Sequence, residues 1–343
     1  MLRVGVIGCG KIAQLRHFPE YDQNSNCQLA GYFDFNQERA NKFAKQYGGT
    51  TYESVDAMLA DENINAVSVC VANNAHAEIT IKALNAGKDV LCEKPMATNL
   101  EECEKMVEAA EANGHKLMIG QNQRLTKAHR KAKELIAEGA IGKVLSFRTT
   151  FGHGGPETWS VDQGTANWFF DKKKAAMGAM ADLGVHKTDL IQYLTGEKVI
   201  ATTASVTTLD KKDSEGNLVE LDDNAICIYR MTGGIVGSMT ASWTFYGKED
   251  NSTVLYGTEG IMEIYTDPSF SLKITKKDGE IVYYELDAIQ TNDNQTNSGI
   301  IDAFVESITE DKVPLIDGKD VLHAMKAVFA SLQSAKEGRT IEI

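Results

Sequence analysis

Apolar runs and amphipathic segments alternate along residues 1–120 of the chain. Leu2–Ile7 and residues 66–71 are continuous apolar runs, the pattern of strands that are covered on both faces. Residues 77–86 and Leu100–Asn113 follow with helical patterns, and each of them is followed by a glycine. Regular alternation of this kind predicts βαβ units and therefore an α/β fold with a doubly wound parallel sheet.

The pattern changes at about Gly142, where long β-type runs replace the alternation. Two of the links between these runs, Thr232–Gly234 and residues 277–279, carry hairpin signals. We therefore expect a large, mostly antiparallel open sheet, with helices at residues 183–194, 298–309 and 318–336. The predicted strands are residues 143–151, 199–209, 225–231, 235–245, 253–256, 260–265 and 281–286.

The run at Leu2–Ile7 ends in a glycine turn that leads into a helical pattern. Gly8, Gly10 and Ala13 have G-x-G-x-x-A spacing. In that pattern the first glycine makes a tight turn, the second leaves room for a phosphate, and the alanine lets the helix pack closely on the strand. The helix N-terminus at this point favours an anion, so the turn predicts a pyrophosphate site.

A second apolar run, residues 27–33, ends at Asp34, where an acidic side chain would bind both ribose hydroxyls. The alternative is a glycine-rich turn beside a solvated aspartate. The complete order of strand, turn, helix, strand and acid favours the dinucleotide site. Asp34 also favours NAD over NADP, because a 2′-phosphate would meet a like charge.

Composition narrows the class of protein further. The 343 residues are enough for two domains, and 43% hydrophobic with 24% charged residues is typical of a soluble globular protein. No apolar run approaches the ~20 residues of a membrane helix, and Leu2 begins the first strand at once, so we expect neither a membrane span nor an export signal. The net charge of −13 argues against nucleic-acid and anionic-membrane partners. The six cysteines are scattered without a C-x-x-C pair, which indicates no zinc site or disulfide framework and a cytoplasmic protein.

Glu93, Lys94 and Pro95 follow directly on a short apolar strand, residues 89–92. In a doubly wound sheet this places Lys94 at the carboxyl edge, where its ammonium could bind a substrate oxygen and stabilise alkoxide charge. Pro95 restricts Lys94 to extended backbone angles. The alternative, a surface lysine in a proline-shaped turn, is slightly favoured by these three residues taken alone.

A second candidate cluster is the D-x-G-x-H-x-x-D-L stretch from Asp182 to Leu190. In a helix, Asp182 and His186 are four residues apart and share a face, and Asp189 is three residues further. A carboxylate beside an imidazole suits a general base, because histidine titrates near neutrality. A capping aspartate with a hydrogen-bonded histidine is an equally plausible interpretation of this stretch alone.

The remaining polar candidates are single residues. His76 follows the turn at residues 73–74 and is expected near the cofactor, while His153 and Asn167 lie in loop-like stretches that could reach a substrate. The other histidines are expected to be structural or solvated, and no spacing among histidines resembles a metal site. The tryptophans are expected in the core.

Together, the N-terminal glycine turn, E-K-P after a strand and D-x-G-x-H-x-x-D-L before a large sheet resemble the Gfo/Idh/MocA family, named after glucose–fructose oxidoreductase, inositol dehydrogenase and rhizopine catabolism. The resemblance covers essentially the whole chain. It implies a Rossmann domain at residues 1–122 that binds NAD or, less favoured here, NADP. It also implies a C-terminal α/β domain at residues 123–343 for substrate binding and for homodimer or homotetramer contacts. Most members are sugar or cyclitol oxidoreductases.

The resemblance also implies roles for individual residues. The family's catalytic set falls on Lys94, Asp182 and His186, and the histidine is the proton acceptor in similar inositol dehydrogenases. Residues 121–124, Gln-Asn-Gln-Arg, stand where the family has a cleft-lining motif, but they lack the doubled arginine of several inositol dehydrogenases, which leaves the substrate open. The expected substrate residues are Lys94, Arg124, His153, Asn167, Asp182 and His186. The expected cofactor residues are Gly8, Gly10, Lys11, Ile12, Ala13, Asp34, Ala72, Asn73, Asn74, His76, Glu93, Lys94 and Asn122.

The predicted function is hydride transfer between a secondary hydroxyl of a sugar or cyclitol and the nicotinamide, with the ligands held between the two domains. Two alternatives stay open at this point. The first is an NAD-dependent glycosidase that oxidises its sugar transiently. The second is a non-catalytic NAD sensor, which would not need Lys94, Asp182 and His186.

Overall fold

The computed structural model describes residues 1–160, 167–288 and 298–343, and these fall into two compact units. The first contains Met1–Asn122 and residues 298–322. The second contains residues 123–160, 167–288 and His323–Ile343. Among the described residues, no helix has the length and apolar character that a membrane crossing needs.

The first unit is built on a six-stranded sheet whose described pairs are all parallel. Its strand order, β3-β2-β1-β4-β5-β6, is that of a dinucleotide-binding doubly wound fold, which confirms the predicted fold class. The chain order reverses between β1 and β4, the point where such sheets bind ligands at the carboxyl ends of their strands. The strands are β1 (Leu2–Ile7), β2 (Cys27–Phe33), β3 (Thr50–Thr51), β4 (Ala66–Val69), β5 (Asp89–Cys92) and β6 (Leu117–Ile119).

Helix ends follow local sequence signals in several places. Asn36 accepts a hydrogen bond from the Arg39 N–H at the start of α2, and Asn99 caps α5, which ends at the left-handed Gly114. The α-helices are α1 (Phe18–Gln23), α2 (Gln37–Tyr47), α3 (Val55–Leu59), α4 (His76–Asn85), α5 (Leu100–Asn113), α6 (Lys127–Ala137), α7 (Lys172–Ala175), α8 (Val185–Thr195), α9 (Ile300–Thr309) and α10 (Gly318–Glu337). Two further segments, Ala13–His17 and Met180–Gly184, are π-helical.

Residues 298–322 return to the first unit late in the chain. Ser298 donates two hydrogen bonds to the Glu20 carboxylate, from its main-chain N at 2.8 Å and its Oγ at 2.9 Å. The main-chain N of Ile119 donates to the Ile316 carbonyl at 3.1 Å, which extends the edge of β6. The pattern of residues 298–309 predicts helix α9 but does not indicate which unit the helix joins.

The second unit is built on a nine-stranded sheet with the order β14-β13-β12-β11-β7-β10-β9-β8-β15. It is antiparallel except where β10 pairs with β7 in parallel, so the expected mostly antiparallel sheet is confirmed. Strands β13 and β15 are absent from the prediction, because Lys273 and Lys276 dilute the apolar pattern of β13 and β15 has only two residues. The strands are β7 (Val144–Gly152), β8 (Val199–Thr207), β9 (Asn224–Met231), β10 (Val236–Ser242), β11 (Thr253–Gly257), β12 (Gly260–Asp267), β13 (Phe270–Lys276), β14 (Ile281–Tyr284) and β15 (Ile341–Glu342).

The two faces of this sheet differ in burial. Directly paired residues of neighbouring strands share a face, so the register assigns each side chain to one face or the other. The π-helical segment Met180–Gly184 and α8 pack on β7 and β10. One face is buried and includes Tyr229, Phe147, Leu255, Met262 and Ile274. The opposite face exposes Ile226, Ile228, Val236, Tyr256, Ile261, Ile281 and Tyr283.

Candidate active site

The glycine turn after β1 has the backbone that a pyrophosphate site needs. Gly8 has φ of +94°, and a Cβ at this position would overlap the Cys70 carbonyl oxygen, so only glycine fits. A Cβ added at Gly10 would meet no atom within 4 Å, which leaves open space above that residue. Ala13 is fully buried. These three positions fit a bound dinucleotide in the way the motif requires.

Asp34 stands at the end of β2 beside this turn. Its carboxylate accepts hydrogen bonds from the main-chain N of Cys9 and of Asn36, both at 2.8 Å. The Arg39 guanidinium lies 3.6 Å from its Oδ2. The two main-chain hydrogen bonds hold the Asp34 carboxylate where a ribose diol could meet it. Arg39 is a neighbour that sequence reasoning missed. The signal for it was a basic residue in the first turn of the helix after Asp34.

The other cofactor candidates also follow sheet strands or the glycine turn. Lys11 and Ile12 are partly exposed at the start of the π-helical segment. Ala72 precedes the short 3₁₀ turn Asn73–Ala75, in which Asn73 is buried and Asn74 is exposed. Asn122 is buried just beyond β6.

His76 is buried at the start of α4 and contacts main-chain oxygens. Its Nδ1 lies 2.7 Å from the Pro95 carbonyl oxygen, and its Nε2 lies 3.1 Å from that of Val71. Burial lowers the pKa of its imidazole. His76 thus connects the turn after β4 to the segment that follows Lys94.

Glu93, the residue before Lys94, belongs to a buried polar network. The ring Nε2 of His17 donates to its Oε1 at 2.8 Å, and the Arg16 guanidinium lies 3.4 Å from the same oxygen. Burial alone raises the pKa of Glu93, but the hydrogen bond from His17 and the charge of Arg16 outweigh it and hold the pKa at about 2. The other ring nitrogen of His17 lies 3.1 Å from Ser68 Oγ. Lys94 itself is half-buried, and its peptide bond to Pro95 is cis.

Asp182 lies in the π-helical segment of the second unit, and His186 lies in the first turn of α8. The side chains are nearly buried, with 7% and 6% of the residue surface exposed. The indole Nε1 of Trp243 donates to Asp182 Oδ2 at 3.0 Å, and His153 Nε2 lies 3.6 Å from the same oxygen. The ring of Phe151 lies 6.1 Å from that of His186. The structure therefore groups His153 with Asp182 and adds Trp243, which sequence reasoning assigned to the core.

Arg124 and Asp189 form a buried ion pair. Arg124 Nε donates to Oδ2 at 2.7 Å and its Nη2 donates to Oδ1 at 2.6 Å, a bidentate geometry. Asn167, the other polar residue expected to reach substrate, accepts from the main-chain N of Phe169 at 3.0 Å and begins a 3₁₀ turn. Both candidate side chains therefore make hydrogen bonds to other groups of the protein.

A six-stranded Rossmann sheet with a fixed glycine turn and an aspartate at the end of β2 defines a dinucleotide-binding fold. Comparison with known families identifies which one. Residues 2–121 match the oxidoreductase family with an NAD-binding Rossmann fold, and residues 129–263 match the GFO/IDH/MocA C-terminal domain. The chain belongs to the Gfo/Idh/MocA oxidoreductase family, and its cofactor is NAD.

Individual relatives agree with this assignment. Levoglucosan dehydrogenase of Pseudarthrobacter phenanthrenivorans is 33% identical over 65% of this chain and 60% of its own length, so the alignment spans less than two thirds of that enzyme. Myo-inositol 2-dehydrogenase of Thermotoga maritima is 24% identical over 100% of this chain and 98% of its own. A solved levoglucosan dehydrogenase in complex with NADH and levoglucosan superposes with a TM-score of 0.87 at 25% identity, covering 100% of this chain and 99% of that one.

Proposed function

We propose that this protein transfers a hydride between NAD and a secondary hydroxyl of a sugar, a sugar derivative or a cyclitol. The observation that carries the proposal is the position of Lys94. It follows β5 at the carboxyl edge of the same sheet that presents Gly8, Gly10 and Asp34. The names of two relatives support the substrate class, since one acts on levoglucosan and the other on myo-inositol.

Each catalytic candidate has a separate task in this reaction. His186 takes the proton of the reacting hydroxyl, because a secondary alcohol that loses hydride without losing its proton leaves a protonated carbonyl. Lys94 donates a hydrogen bond to the reacting oxygen and stabilises the negative charge that develops there. Asp182 orients the imidazole or a second hydroxyl of the substrate. The chemistry that bound NAD would supply is hydride acceptance at its nicotinamide C4.

The cofactor residues hold NAD in the arrangement that the Rossmann turn requires. Gly8 and Gly10 would receive the pyrophosphate on their main chain, and Asp34 would accept hydrogen bonds from the two ribose hydroxyls. The residues after β4 and β6 would hold the nicotinamide half. Among the substrate candidates, we propose that Arg124 acts indirectly. Its guanidinium binds the Asp189 carboxylate and holds that side chain in place.

The test begins with a panel of sugars, inositols and their keto forms, following NADH absorbance with NAD and NADP in parallel. Turnover of at least one polyol with NAD is expected. Lys94→Ala should then abolish turnover while leaving the Kd for NADH within about threefold of wild type. Lys82→Ala, which removes an exposed lysine of α4, is the matched control and should keep full activity.

Three results would contradict the proposal. Near-normal kcat in Lys94→Ala would remove that residue from the mechanism. Release of an aglycone without net NADH formation would indicate an NAD-dependent glycosidase instead, and NADH binding without turnover across the whole panel would indicate a sensor.

The exposed face of the nine-stranded sheet supports a second part of the proposal, namely a homodimer or homotetramer that forms through this face. Isoleucine, valine and tyrosine side chains recur there along β9, β10, β11, β12 and β14. An apolar face of this extent on a sheet is typical of a protein–protein contact. A second copy of the chain would cover it with the same surface, as a twofold axis requires.

A further inference from the structure

The parallel pairing of β7 with β10 brings two residues of the second unit side by side. Ser242, the last residue of β10, pairs with Gly152, the last residue of β7. The main-chain N of His153 donates to the Ser242 carbonyl at 3.0 Å. His153 and Trp243 are thus the first residues beyond two adjacent strands that end at the same edge. An antiparallel pair would have placed these two chain positions at opposite ends.

Both side chains present an N–H to the same oxygen of Asp182. The indole of Trp243 can only donate, and its Nε1 lies 3.0 Å from Oδ2. His153 Nδ1 accepts from the main-chain N of Gly155 at 3.0 Å, so the neutral ring carries its proton on Nε2. That Nε2 lies 3.6 Å from Oδ2. The Trp243 hydrogen bond, with the His153 N–H close to the same oxygen, restricts rotation of the carboxylate and therefore the direction of Oδ1.

The indole is held rigidly while it donates. Trp243 is fully buried, its main-chain N donates to the Asp223 carbonyl at 2.7 Å, and the Phe170 ring meets it edge-on at 5.8 Å. Gly178 allows this packing, because a Cβ there would lie 3.1 Å from the indole and would overlap the Asp222 carbonyl oxygen. Asp222 in turn accepts from the main-chain N of Gly178 and of Met180, both at 2.7 Å. The π-helical segment that carries Asp182 is therefore fixed relative to Trp243.

We propose that Trp243, together with His153, is a positioning residue that aims the Asp182 carboxylate at its catalytic target. This inference rests on the proposed hydride transfer and goes beyond it. Trp243 takes no part in the chemistry. Its indole keeps Asp182 in one rotamer, so that Oδ1 meets the imidazole or the substrate hydroxyl without a reorganisation step.

Activity measurements test the proposal with Trp243→Phe, which removes the N–H and keeps an aromatic ring. Its kcat should fall on the order of 10- to 100-fold while KM and the Kd for NADH change less than about threefold, because only the orientation of a catalytic group is lost. Tyr265→Phe is the matched control, since it also removes an aromatic donor to an aspartate of the second unit, here Asp287, and leaves Trp243 intact. It should keep kcat within about twofold of wild type. If Trp243→Phe does not fold, 3-benzothienylalanine at position 243 provides the same shape without a donor.

A spectroscopic measurement is independent of activity. In a ¹⁵N-indole spectrum, the signal that disappears in Trp243→Phe belongs to this side chain. Its proton shift should move in Asp182→Asn and stay in place in Asp171→Asn, a control at the cap of α7.

The outcomes separate the two proposals. A wild-type protein that turns over no polyol overturns the proposed function, and the indole signal still decides whether Trp243 holds Asp182. A wild-type protein that is active, with an unchanged kcat in Trp243→Phe, overturns the positioning role while the proposed function stands. An indole proton shift that stays unchanged in Asp182→Asn also overturns the positioning role.

Discussion

The buried pair of Arg124 and Asp189 makes a quantitative prediction about stability. Only 7% of the arginine side chain and 2% of the aspartate side chain are exposed, and both hydrogen bonds are shorter than 2.8 Å. Removing one member of such a pair leaves the other charge buried without its partner, which costs about 3–5 kcal/mol. Arg124→Met and Asp189→Leu should each lower the free energy of unfolding by that amount.

The double variant distinguishes the ion pair from simple packing. Replacing both charges by apolar groups of similar volume is often neutral or stabilising. Arg124→Met combined with Asp189→Leu should therefore be more stable than either single variant. The coupling free energy between the two positions should reach at least about 2 kcal/mol, which lies in the range for residues in one ion-pair network.

Tryptophan fluorescence during urea unfolding is the suitable assay. All three tryptophans, at positions 159, 168 and 243, lie in the second unit with Arg124 and Asp189, so the signal reports on that unit. The free energies of unfolding can be compared where their dependence on urea concentration has the same slope in all variants. Additive effects, or a loss of less than about 1 kcal/mol in either single variant, would refute the reasoning. A raised KM in Arg124→Met at unchanged stability would show that this arginine binds substrate instead.

Two further predictions concern cofactor choice and assembly. Asp34→Ser removes the charge that opposes a 2′-phosphate and releases Arg39, so the ratio of the Kd for NADPH to that for NADH, measured by nucleotide fluorescence, should fall at least about tenfold. Adding Arg39→Ala should reverse that gain, and an unchanged ratio would contradict the role of Asp34. Ile228→Lys places a charge on the exposed face of the nine-stranded sheet and should reduce the mass measured by light scattering, whereas Leu315→Lys, at an exposed apolar position of the first unit, should not. A wild-type monomer, or an Ile228→Lys variant with the wild-type mass, would contradict assembly through that face.

Much of the fold could be predicted because its signals are local. The glycine turn requires a positive φ at Gly8, which only a residue without a side chain adopts there. Helix α5 has the bounds that its pattern predicts, Leu100–Asn113, and its Asn99 cap is a neighbour in sequence. Hairpin signals at Thr232–Gly234 correctly join β9 to β10. Each of these features depends on a few consecutive residues.

The candidate site was harder to predict because its contacts are long-range. Asp182 meets a tryptophan 61 positions away, and Arg124 meets an aspartate 65 positions away. The pattern of neighbouring residues in the sequence indicates neither pairing. The four-residue spacing of Asp182 and His186 predicts an α-helical face, but the segment starts as a π-helix, whose wider turn changes which side chains align. A single buried arginine beside a polar stretch indicates a ligand as readily as it indicates a structural ion pair.

The late return of residues 298–322 has a consequence for synthesis of the protein on the ribosome. N-terminal domains generally fold first, as they emerge. Here Glu20 lacks Ser298 and the edge of β6 lacks Ile316 until the roughly 180 residues after Asn122 have been translated, which takes about 10–40 s at ~5–20 residues per second. During that interval the Glu20 carboxylate, which is buried in the finished protein, and the edge of β6 can form non-native contacts. The nucleotide-binding unit is begun first and completed after most of the second unit has been made.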